Sequence, residues 1–325
     1  MVEVGAGAIR RSLLVFVDGV GIGAEDAARN PFLTASMPTL DRLLGGRPHE
    51  GTPSLGSAEG AAACVPLDAC LGVEGLPQSG TGQAALLTGT NAPRAFGRHF
   101  GPWTPVALRP VVAAGNLLTV ARADGRTVAF ANAYPEELVA AADDPRPPAP
   151  LRAATVIAAR GAGALVRGTP ELARGSAVAS EITNGGWREH LRRTEVPEID
   201  AAAAGANLAA IAGAHDLTLF AHYSTDTAGH TGDADRAIAA LERLDAFLDG
   251  LVRGSPADLR IVVASDHGNI EDLSAGHTRH PALGLVLGPG AAAFAGGLRS
   301  ILDVAPAMLA ELGVRPPGPR DAGPG

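Results

Sequence analysis

Short apolar runs alternate with longer amphipathic stretches along most of the chain. The runs typical of buried strands cover residues 12–17, 127–133, 216–223, 260–264 and 282–287. Stretches with apolar side chains three or four positions apart, as in helices, cover residues 38–44, 108–124, 201–214, 233–253 and 301–312. This order of elements predicts an α/β protein with three layers, α/β/α, around a mostly parallel central sheet.

The character of the sequence changes after Tyr134-Pro135. From there to about Pro197 the chain is rich in arginine and has only weak strand signals, and it includes a linker-like run at residues 143–148. We therefore predict a small inserted cap, residues 135–200, between a first core part, residues 1–134, and a second core part, residues 201–325. The tract at residues 45–60, rich in Gly, Pro and Ser, predicts a loop.

Composition and charge narrow the class of protein. The chain has 325 residues, of which 46% are hydrophobic and only 4% aromatic, which suits tightly packed small side chains on a sheet. The net charge of −8 disfavours nucleic acid or an anionic membrane as a partner. The apolar run at residues 13–17 is too short for a signal peptide or a membrane span, so we expect a cytoplasmic protein. The sequence does not specify an oligomeric state.

Three of the predicted strands end in side chains that bind metals. Asp18 follows the first strand, Asp226 follows the third, and Asp266-His267 follows the fourth. Because the carboxyl ends of parallel strands meet at one edge of a sheet, we expect these residues to lie close together. Each alone is as well explained by a solvated turn, but together they offer the oxygen and nitrogen ligands that suit Zn²⁺ or Mn²⁺.

Two further histidines extend this set of ligands. His230 lies four residues after Asp226, so a helical turn would place both side chains on one face. His277 follows His267 by ten residues. Together with the strand-end residues, these side chains are enough to hold two divalent metal ions, each with an open coordination position.

A hydroxyl group at a helix N-terminus is a candidate nucleophile. Ser79 and Thr81 lead directly into an apolar helix, where free N–H groups and the helix dipole stabilise an anion. The alternative for either hydroxyl is a helix N-cap. The polar loop that follows carries Arg94, Arg98 and His99, which are candidates for binding the phosphate of a substrate.

The motifs around these residues resemble those of the alkaline phosphatase superfamily, and within it the branch of cofactor-independent phosphoglycerate mutases and phosphopentomutases. The resemblance covers most of residues 12–134 and 205–290 and leaves out the cap. The matching motifs are Val17-Asp18-Gly19-Val20-Gly21, Gln78-Ser79-Gly80-Thr81-Gly82-Gln83, Asp226-Thr227-Ala228-Gly229-His230-Thr231-Gly232, Ser265-Asp266-His267-Gly268-Asn269 and His277-Thr278.

The resemblance implies a role for each residue. Two divalent metal ions, Mn or Zn, would be held by two sets of ligands: Asp226, His230 and His277 for one ion, and Asp18, Asp266 and His267 for the other. Ser79, preferred over Thr81, would be the nucleophile that bridges toward both ions. His280 is the alternative to His277 as a ligand. The implied partner is a small phosphate ester.

The implied reaction is phosphoryl transfer through a phosphoserine. Gln83 stands where the family usually has a histidine, and the cap is small, so we expect a phosphomonoesterase or phosphodiesterase rather than a phosphomutase. A phosphomutase is the alternative. Such an enzyme needs oxyanion-binding side chains to hold its substrate while the substrate reorients. The cap offers such side chains at Arg152, Arg160, Arg167, Arg174, Arg188, Arg192 and Arg193. A non-catalytic metal-binding relative is the third alternative, and an intact Ser79 argues against it.

Overall fold

A seven-stranded sheet forms the centre of the protein in the computed structural model, which describes residues 9–142, 144 and 146–314. The strands are β1 (Arg11–Val17), β2 (Leu55–Gly56), β3 (Ala62–Leu67), β4 (Val128–Phe130), β5 (Leu217–His222), β6 (Leu259–Ala264) and β7 (Ala282–Leu287). Their order across the sheet is β2-β3-β7-β6-β1-β5-β4. β6, β1, β5 and β4 run parallel, and β7 is antiparallel to both β6 and β3. The predicted α/β class with a mostly parallel sheet is confirmed.

The sequence pattern misses β2 and β3. β2 lies within the tract at residues 45–60 that was expected to be a loop, and β3 contains Pro66, which weakens a strand pattern. β3 nevertheless pairs with β7 along its whole length. Because β2 reaches only Ala63 and Cys64, the outer edge of β3 is unpaired at Pro66, where a missing N–H costs no ladder hydrogen bond.

Helices cover both faces of the sheet. Those in the described residues are α1 (Pro38–Leu44), α2 (Ser79–Thr88), α3 (Ala92–Phe96), α4 (Arg109–Gly115), α5 (Leu117–Ala123), α6 (Glu136–Ala140), α7 (Ala154–Gly161), α8 (Thr169–Ala173), α9 (Gly185–Glu189), α10 (Ala201–Gly213), α11 (Ser224–Thr231), α12 (Ala234–Gly254), α13 (Ala291–Ala295) and α14 (Val304–Glu311).

The helix expected at residues 108–124 is divided in two. The Asn116 side chain accepts a hydrogen bond from the Thr119 N–H and begins α5, directly after α4 ends. The apolar stretch Val106–Ala123 is as long as a membrane span, but it consists of these separate short helices.

Alternate side chains of β1 separate two hydrophobic cores. Leu14 and Phe16 pack on one face of the sheet with residues of α2, α4, α5, α7 and α14. Leu13 and Val15 pack on the opposite face with residues of α1, α10 and α12. The sheet is therefore buried on both faces, as in the predicted three-layer arrangement.

Residues 135–200 lie in two packing environments. α7 belongs to the core on the Phe16 face, where it contacts α2, α4 and α5. Around Trp187, the buried residues Leu172, Ala177 and Val196 form a small separate cluster. The described part of this segment forms short helices rather than strands. The division of the chain into core and cap stays a prediction. Four parts of the chain lie outside the described residues: the two ends of the core, residues 1–8 and 315–325, and residues 143 and 145 of the predicted linker.

α10 and α12 approach each other closely at Gly250. A Cβ atom added at Gly250 would lie 1.9 Å from the carbonyl oxygen of Ala202, so the two helices could pack this closely only around glycine. We expect Gly250→Ala to lower the free energy of unfolding by about 1–3 kcal/mol, because overpacking outweighs the gain in helix propensity.

Gly115→Ala is the matched control, since no heavy atom outside the immediate chain lies within 4 Å of the added Cβ. Urea denaturation of both variants measures the difference. Equal or greater stability of Gly250→Ala would contradict the close approach of the two helices.

Candidate active site

Neighbouring strands bring three acidic residues to one edge of the sheet. β1 ends at the same level as β5 and within one residue of β6. Asp18 and Asp266 follow β1 and β6, and Asp226 lies in the first turn of α11, after β5. The Thr225 hydroxyl donates a hydrogen bond of 2.6 Å to the Asp18 carbonyl oxygen, which ties the start of α11 to the end of β1.

A buried group of possible metal ligands consists of Asp18, Asp266 and His267. His267 Nε2 lies 3.3 Å from Asp18 Oδ1 and 3.7 Å from Asp266 Oδ2. Neither of these two oxygens accepts a hydrogen bond of normal geometry, although buried acceptors almost always do. Unsatisfied carboxylate oxygens beside an imidazole nitrogen fit a divalent cation such as Zn²⁺ or Mn²⁺.

Burial and mutual repulsion act on the charges of this group. Burial raises the pKa of Asp18, and burial together with the Asp18 carboxylate raises the pKa of Asp266 well above its usual range. Burial alone would lower the pKa of His267, but Asp266 and Asp18 outweigh it and raise this pKa to about 10. The ionised form of each carboxyl group is therefore destabilised in this group, and a bound cation would stabilise it.

A second group consists of Asp226, His230 and His277 and is more open to solvent. His230 Nε2 lies 3.3 Å from Asp226 Oδ2 and 3.1 Å from His277 Nε2, which is itself 3.7 Å from Asp226 Oδ1. The Asp226–His230 pair lies on one face of α11, as their spacing predicts.

Hydrogen bonds to neighbouring residues orient His277 and Asp226 of the second group. His277 Nδ1 lies 2.9 Å from the carbonyl oxygen of Pro77, and because a carbonyl can only accept, Nδ1 carries the proton and Nε2 is free to bind a metal. The Asn269 side chain donates a hydrogen bond of 2.6 Å to Asp226 Oδ1. Burial and the neighbouring His267 lower the pKa of His277 to about 4, which keeps the ring neutral.

The two candidate hydroxyl groups have different surroundings. Ser79 is the first residue of α2 and is 6% exposed, and its Oγ lies 3.0 Å from His267 Nε2. Thr81 Oγ1 instead accepts a hydrogen bond of 3.1 Å from the Phe100 N–H and contacts backbone oxygens. The structure therefore brings Ser79, and not Thr81, to the possible metal ligands.

Arg94, Arg98 and His99 do not lie around Ser79. The described residues that line the cavity at Ser79 include none of the three. The Arg98 guanidinium lies 5.8 Å from the centre of the Phe100 ring, and Arg98 and His99 border a separate cleft. Arg98 and His99, in the loop after α3, thus line this other cleft, and Arg94, within α3, is absent from the cavity lining at Ser79, contrary to the placement expected from the sequence.

Glu271 was missed by the sequence analysis. It is 1% exposed, and its Oε2 accepts hydrogen bonds from the N–H groups of Gly21 (2.8 Å) and Asn269 (2.7 Å). Its Oε1 accepts a hydrogen bond from the Thr278 hydroxyl and another, of 3.1 Å, from His280 Nδ1. One carboxylate thus connects the loop after β1 to both ends of the β6–β7 loop, the two loops that carry Asp18, Asp266, His267 and His277. Its position just after the Asp-His-Gly-Asn motif was the available signal.

Two other positions acquire a structural role. Gln83 is buried, and its Nε2 donates a hydrogen bond of 3.3 Å to Asp18 Oδ2, so this departure from the family pattern supports a possible ligand. His280 is bound to Glu271 and belongs to neither group of ligands. The geometry therefore favours His277 over His280.

Comparison with known proteins covers the second part of the chain most directly. Residues 179–316 match the model of the metalloenzyme superfamily. The matched stretch contains five of the seven proposed metal-binding residues, whereas Asp18 and Ser79 come from earlier in the chain.

Part of the chain is similar in sequence to phosphoglycerate mutases. A 2,3-bisphosphoglycerate-independent phosphoglycerate mutase of Serratia proteamaculans is 38% identical over 120 residues, which are 34% of this chain and 23% of the mutase. The same enzyme of Ruegeria sp. is 35% identical over 118 residues, or 33% of this chain and 23% of the mutase. The sequence similarity to these mutases thus spans about a quarter of their length.

Solved structures share the fold over nearly the whole chain. A protein of Pyrococcus horikoshii has a TM-score of 0.53 at 16% identity and covers 94% of this chain and 97% of its own. The alkaline phosphatase of the Antarctic bacterium TAB5 has a TM-score of 0.52 at 10% identity, with coverages of 95% and 99%. The predicted alkaline phosphatase-like fold is confirmed.

Replacing His277 tests the second group of ligands. We expect His277→Ala to weaken binding of Zn²⁺ or Mn²⁺ at one of two sites by more than the roughly 10–100-fold that loss of an outer-shell partner costs. Titration calorimetry on protein freed of metal by a chelator measures this change. His280→Ala is the control; a larger loss in that variant would assign the ligand to His280.

Replacing Glu271 tests the connection between the loops. Glu271→Gln keeps the size of the side chain but replaces an acceptor oxygen with a donor, so we expect unfolding free energy to fall by about 1–3 kcal/mol. Metal affinity should fall roughly 10–100-fold, because the ligand loops are less well held. Urea denaturation and metal titration measure both effects, with exposed Glu59→Gln as control. Wild-type values for Glu271→Gln would show that the loops do not depend on this carboxylate.

Proposed function

We propose that the protein transfers phosphoryl groups from phosphate esters through a phosphoserine at Ser79, and that it releases them to water. The observation that carries the proposal is the position of Ser79 Oγ, 3.0 Å from His267 Nε2 at the start of α2. Ser79, Asp18 and Asp226 all line one cavity of about 330 Å³, so the nucleophile faces a space that can hold a small ester.

Two divalent metal ions, Mn²⁺ or Zn²⁺, fit the residues at this cavity. The buried group would hold one ion through Asp18, Asp266 and His267, and the open group would hold the other through Asp226, His230 and His277. When bound, such ions lower the pKa of the serine hydroxyl and neutralise charge on the phosphoryl oxygens.

The chain itself orients the reaction. Ser79 is buried at the start of α2, its hydroxyl lies beside His267, and the residue borders the cavity. Ser79 Oγ attacks phosphorus, the bond from phosphorus to the ester oxygen breaks, and the alcohol leaves with a proton. The phosphoserine then lies at the N-terminus of a ten-residue helix, whose dipole stabilises its negative charge. Water attacks the phosphoserine and regenerates Ser79.

The positions of the arginines in residues 135–200 favour hydrolysis over isomerisation. A mutase has to hold a charged product while it turns over, which calls for cationic side chains at the cavity. Among the described residues that line the cavity, none is an arginine. Six cap arginines bond elsewhere, to backbone oxygens or to glutamates: Arg152, Arg160, Arg167, Arg174, Arg188 and Arg193.

The two alternatives to a hydrolase are a phosphomutase and a non-catalytic metal-binding protein. The similarity to phosphoglycerate mutases over part of the chain favours a phosphomutase. A non-catalytic metal-binding protein would not require a buried serine hydroxyl beside the ligands, so the position of Ser79 argues against it.

Removing the nucleophile tests the reaction. We expect Ser79→Ala to lower kcat on p-nitrophenyl phosphate at least about a thousandfold, since phosphoryl transfer then lacks an acceptor oxygen. Thr88→Ala is the control at the other end of α2, where the hydroxyl donates to the Ala84 carbonyl oxygen and accepts from the Thr90 N–H, away from the proposed ligands. Both are assayed with Mn²⁺ or Zn²⁺ added. Full metal-dependent activity of Ser79→Ala would exclude Ser79 as nucleophile.

Product analysis separates the hydrolase from the mutase. Wild-type protein is incubated with phenyl, ribose, glucose and glycerate phosphates and followed by phosphorus NMR. Free phosphate is the expected product, and an isomeric ester would identify a phosphomutase. No reaction with any ester, in protein shown to contain metal, would favour the non-catalytic alternative.

A further inference from the structure

We infer that the organic part of the substrate is an uncharged group containing an aromatic ring, without a second phosphate or carboxylate. This inference rests on the proposed phosphoryl transfer at Ser79 and names the class of ester. It comes from the walls of the cavity, which differ sharply in chemistry from its floor.

The cavity has a polar floor and mainly apolar walls. Asp18, Ser79 and Asp226 form the reactive end. The walls are formed mainly by Trp103, Tyr134 and Tyr223, with Pro102, Pro150 and Ala153, and their polar members Gln83, Ser180 and Thr227 are uncharged. Only 4% of the residues in this chain are aromatic, so three aromatic side chains around one cavity are a marked concentration. Flat apolar walls favour a flat apolar ligand.

The aromatic walls are held in place by the core. The Tyr134 ring stacks on Phe130 at 6.1 Å between ring centres, and the Tyr223 ring meets the edge of Phe16 at 5.9 Å. The Tyr223 hydroxyl is also hydrogen-bonded to Thr155. Burial raises the pKa of both tyrosines, so the walls are neutral phenols. A ring that enters the cavity therefore meets a preformed surface and little ordering entropy is lost.

The walls offer no cation to a second negative charge. Among the described residues, the cavity lining contains no arginine or histidine, and the chain has no lysine. The Arg152 side chain, two residues from Pro150 in sequence, donates to the Pro147 carbonyl oxygen at 2.8 Å. A carboxylate on the substrate would lose its hydration and find no cation in the lining, only the uncharged polar groups of Gln83, Ser180 and Thr227, with Asp18 and Asp226 in the same cavity.

The size of the cavity limits the organic group. Its volume of about 330 Å³ is at the lower end of the roughly 300–1,000 Å³ range of small-molecule pockets. This is room for a phosphoryl group and one ring system. The substrate class is therefore a phosphate ester of a small aromatic alcohol or phenol.

A matched series of esters tests the charge requirement. We expect kcat/KM for phenyl phosphate to exceed that for 4-carboxyphenyl phosphate and for 3-phosphoglycerate by about tenfold or more, because each of the latter has a carboxylate. Methyl phosphate, which lacks the ring, should also be a poorer substrate. Equal or higher kcat/KM for the carboxylated esters would overturn the inference.

Two variants of the walls test their part directly. Trp103→Ala should lower kcat/KM for phenyl phosphate more than for methyl phosphate, since only the former loses a ring contact. Pro150→Arg adds a cation at an exposed wall position and should shift the preference toward 4-carboxyphenyl phosphate by about tenfold. Val166→Arg, at a side chain 66% exposed and outside the cavity lining, is the control. An unchanged preference in Pro150→Arg would overturn the inference.

A binding measurement separates this inference from the proposed reaction. In the Ser79→Ala variant loaded with metal, phenylphosphonate should bind at least about tenfold more tightly than phosphonoacetate by calorimetry. Tighter binding of phosphonoacetate overturns the substrate class but leaves phosphoryl transfer standing. If neither compound binds and wild-type protein turns over no ester, the proposed function fails, and this inference fails with it.

Discussion

Buried negative charge at the carboxyl edge of the sheet is the constraint on which the site depends. Asp18 and Asp266 each present an oxygen that accepts no hydrogen bond of normal geometry, and Asp226 lies close enough to raise the pKa of Asp266 further. Carboxylates buried in this way are costly unless a cation accompanies them. The surrounding contacts hold the carboxylates in position. Gln83 donates a hydrogen bond to Asp18 and Asn269 donates one to Asp226, and Glu271 ties together the loops around them.

The sequence was sufficient where a side chain follows directly from a regular element. The ends of parallel strands meet at one edge, so Asp18, Asp226 and Asp266 could be expected to meet there. The four-residue spacing of Asp226 and His230 likewise needed only one helical turn. The alkaline phosphatase-like fold was predicted from the same motifs. The metal-binding and catalytic roles of these residues, and a cytoplasmic location, stay predictions.

Features that depend on contacts between distant loops could not be predicted. Ser79 and Thr81 look equivalent in sequence, and they differ because Thr81 bonds to Phe100 across a loop. The direction of Arg98 follows from its contact with the Phe100 ring. β3 depends on pairing with β7, more than two hundred residues later in the chain, rather than on its own propensity. The role of Glu271 depends on its hydrogen bond from Gly21, 250 residues earlier in the chain, which no local pattern shows.

The central position of β1 has a consequence for production of the protein in a cell. β1 lies between β5 and β6, and contacts such as Asp18 with Thr225 and Gly19 with Asp266 join residues 207 and 247 positions apart. At translation rates of roughly 5–20 residues per second, β1 leaves the ribosome on the order of ten seconds or more before either neighbour exists. A seven-residue strand, almost entirely apolar and with both edges open, is a template for aggregation. Soluble yield should therefore depend on how well nascent chains are shielded during that interval.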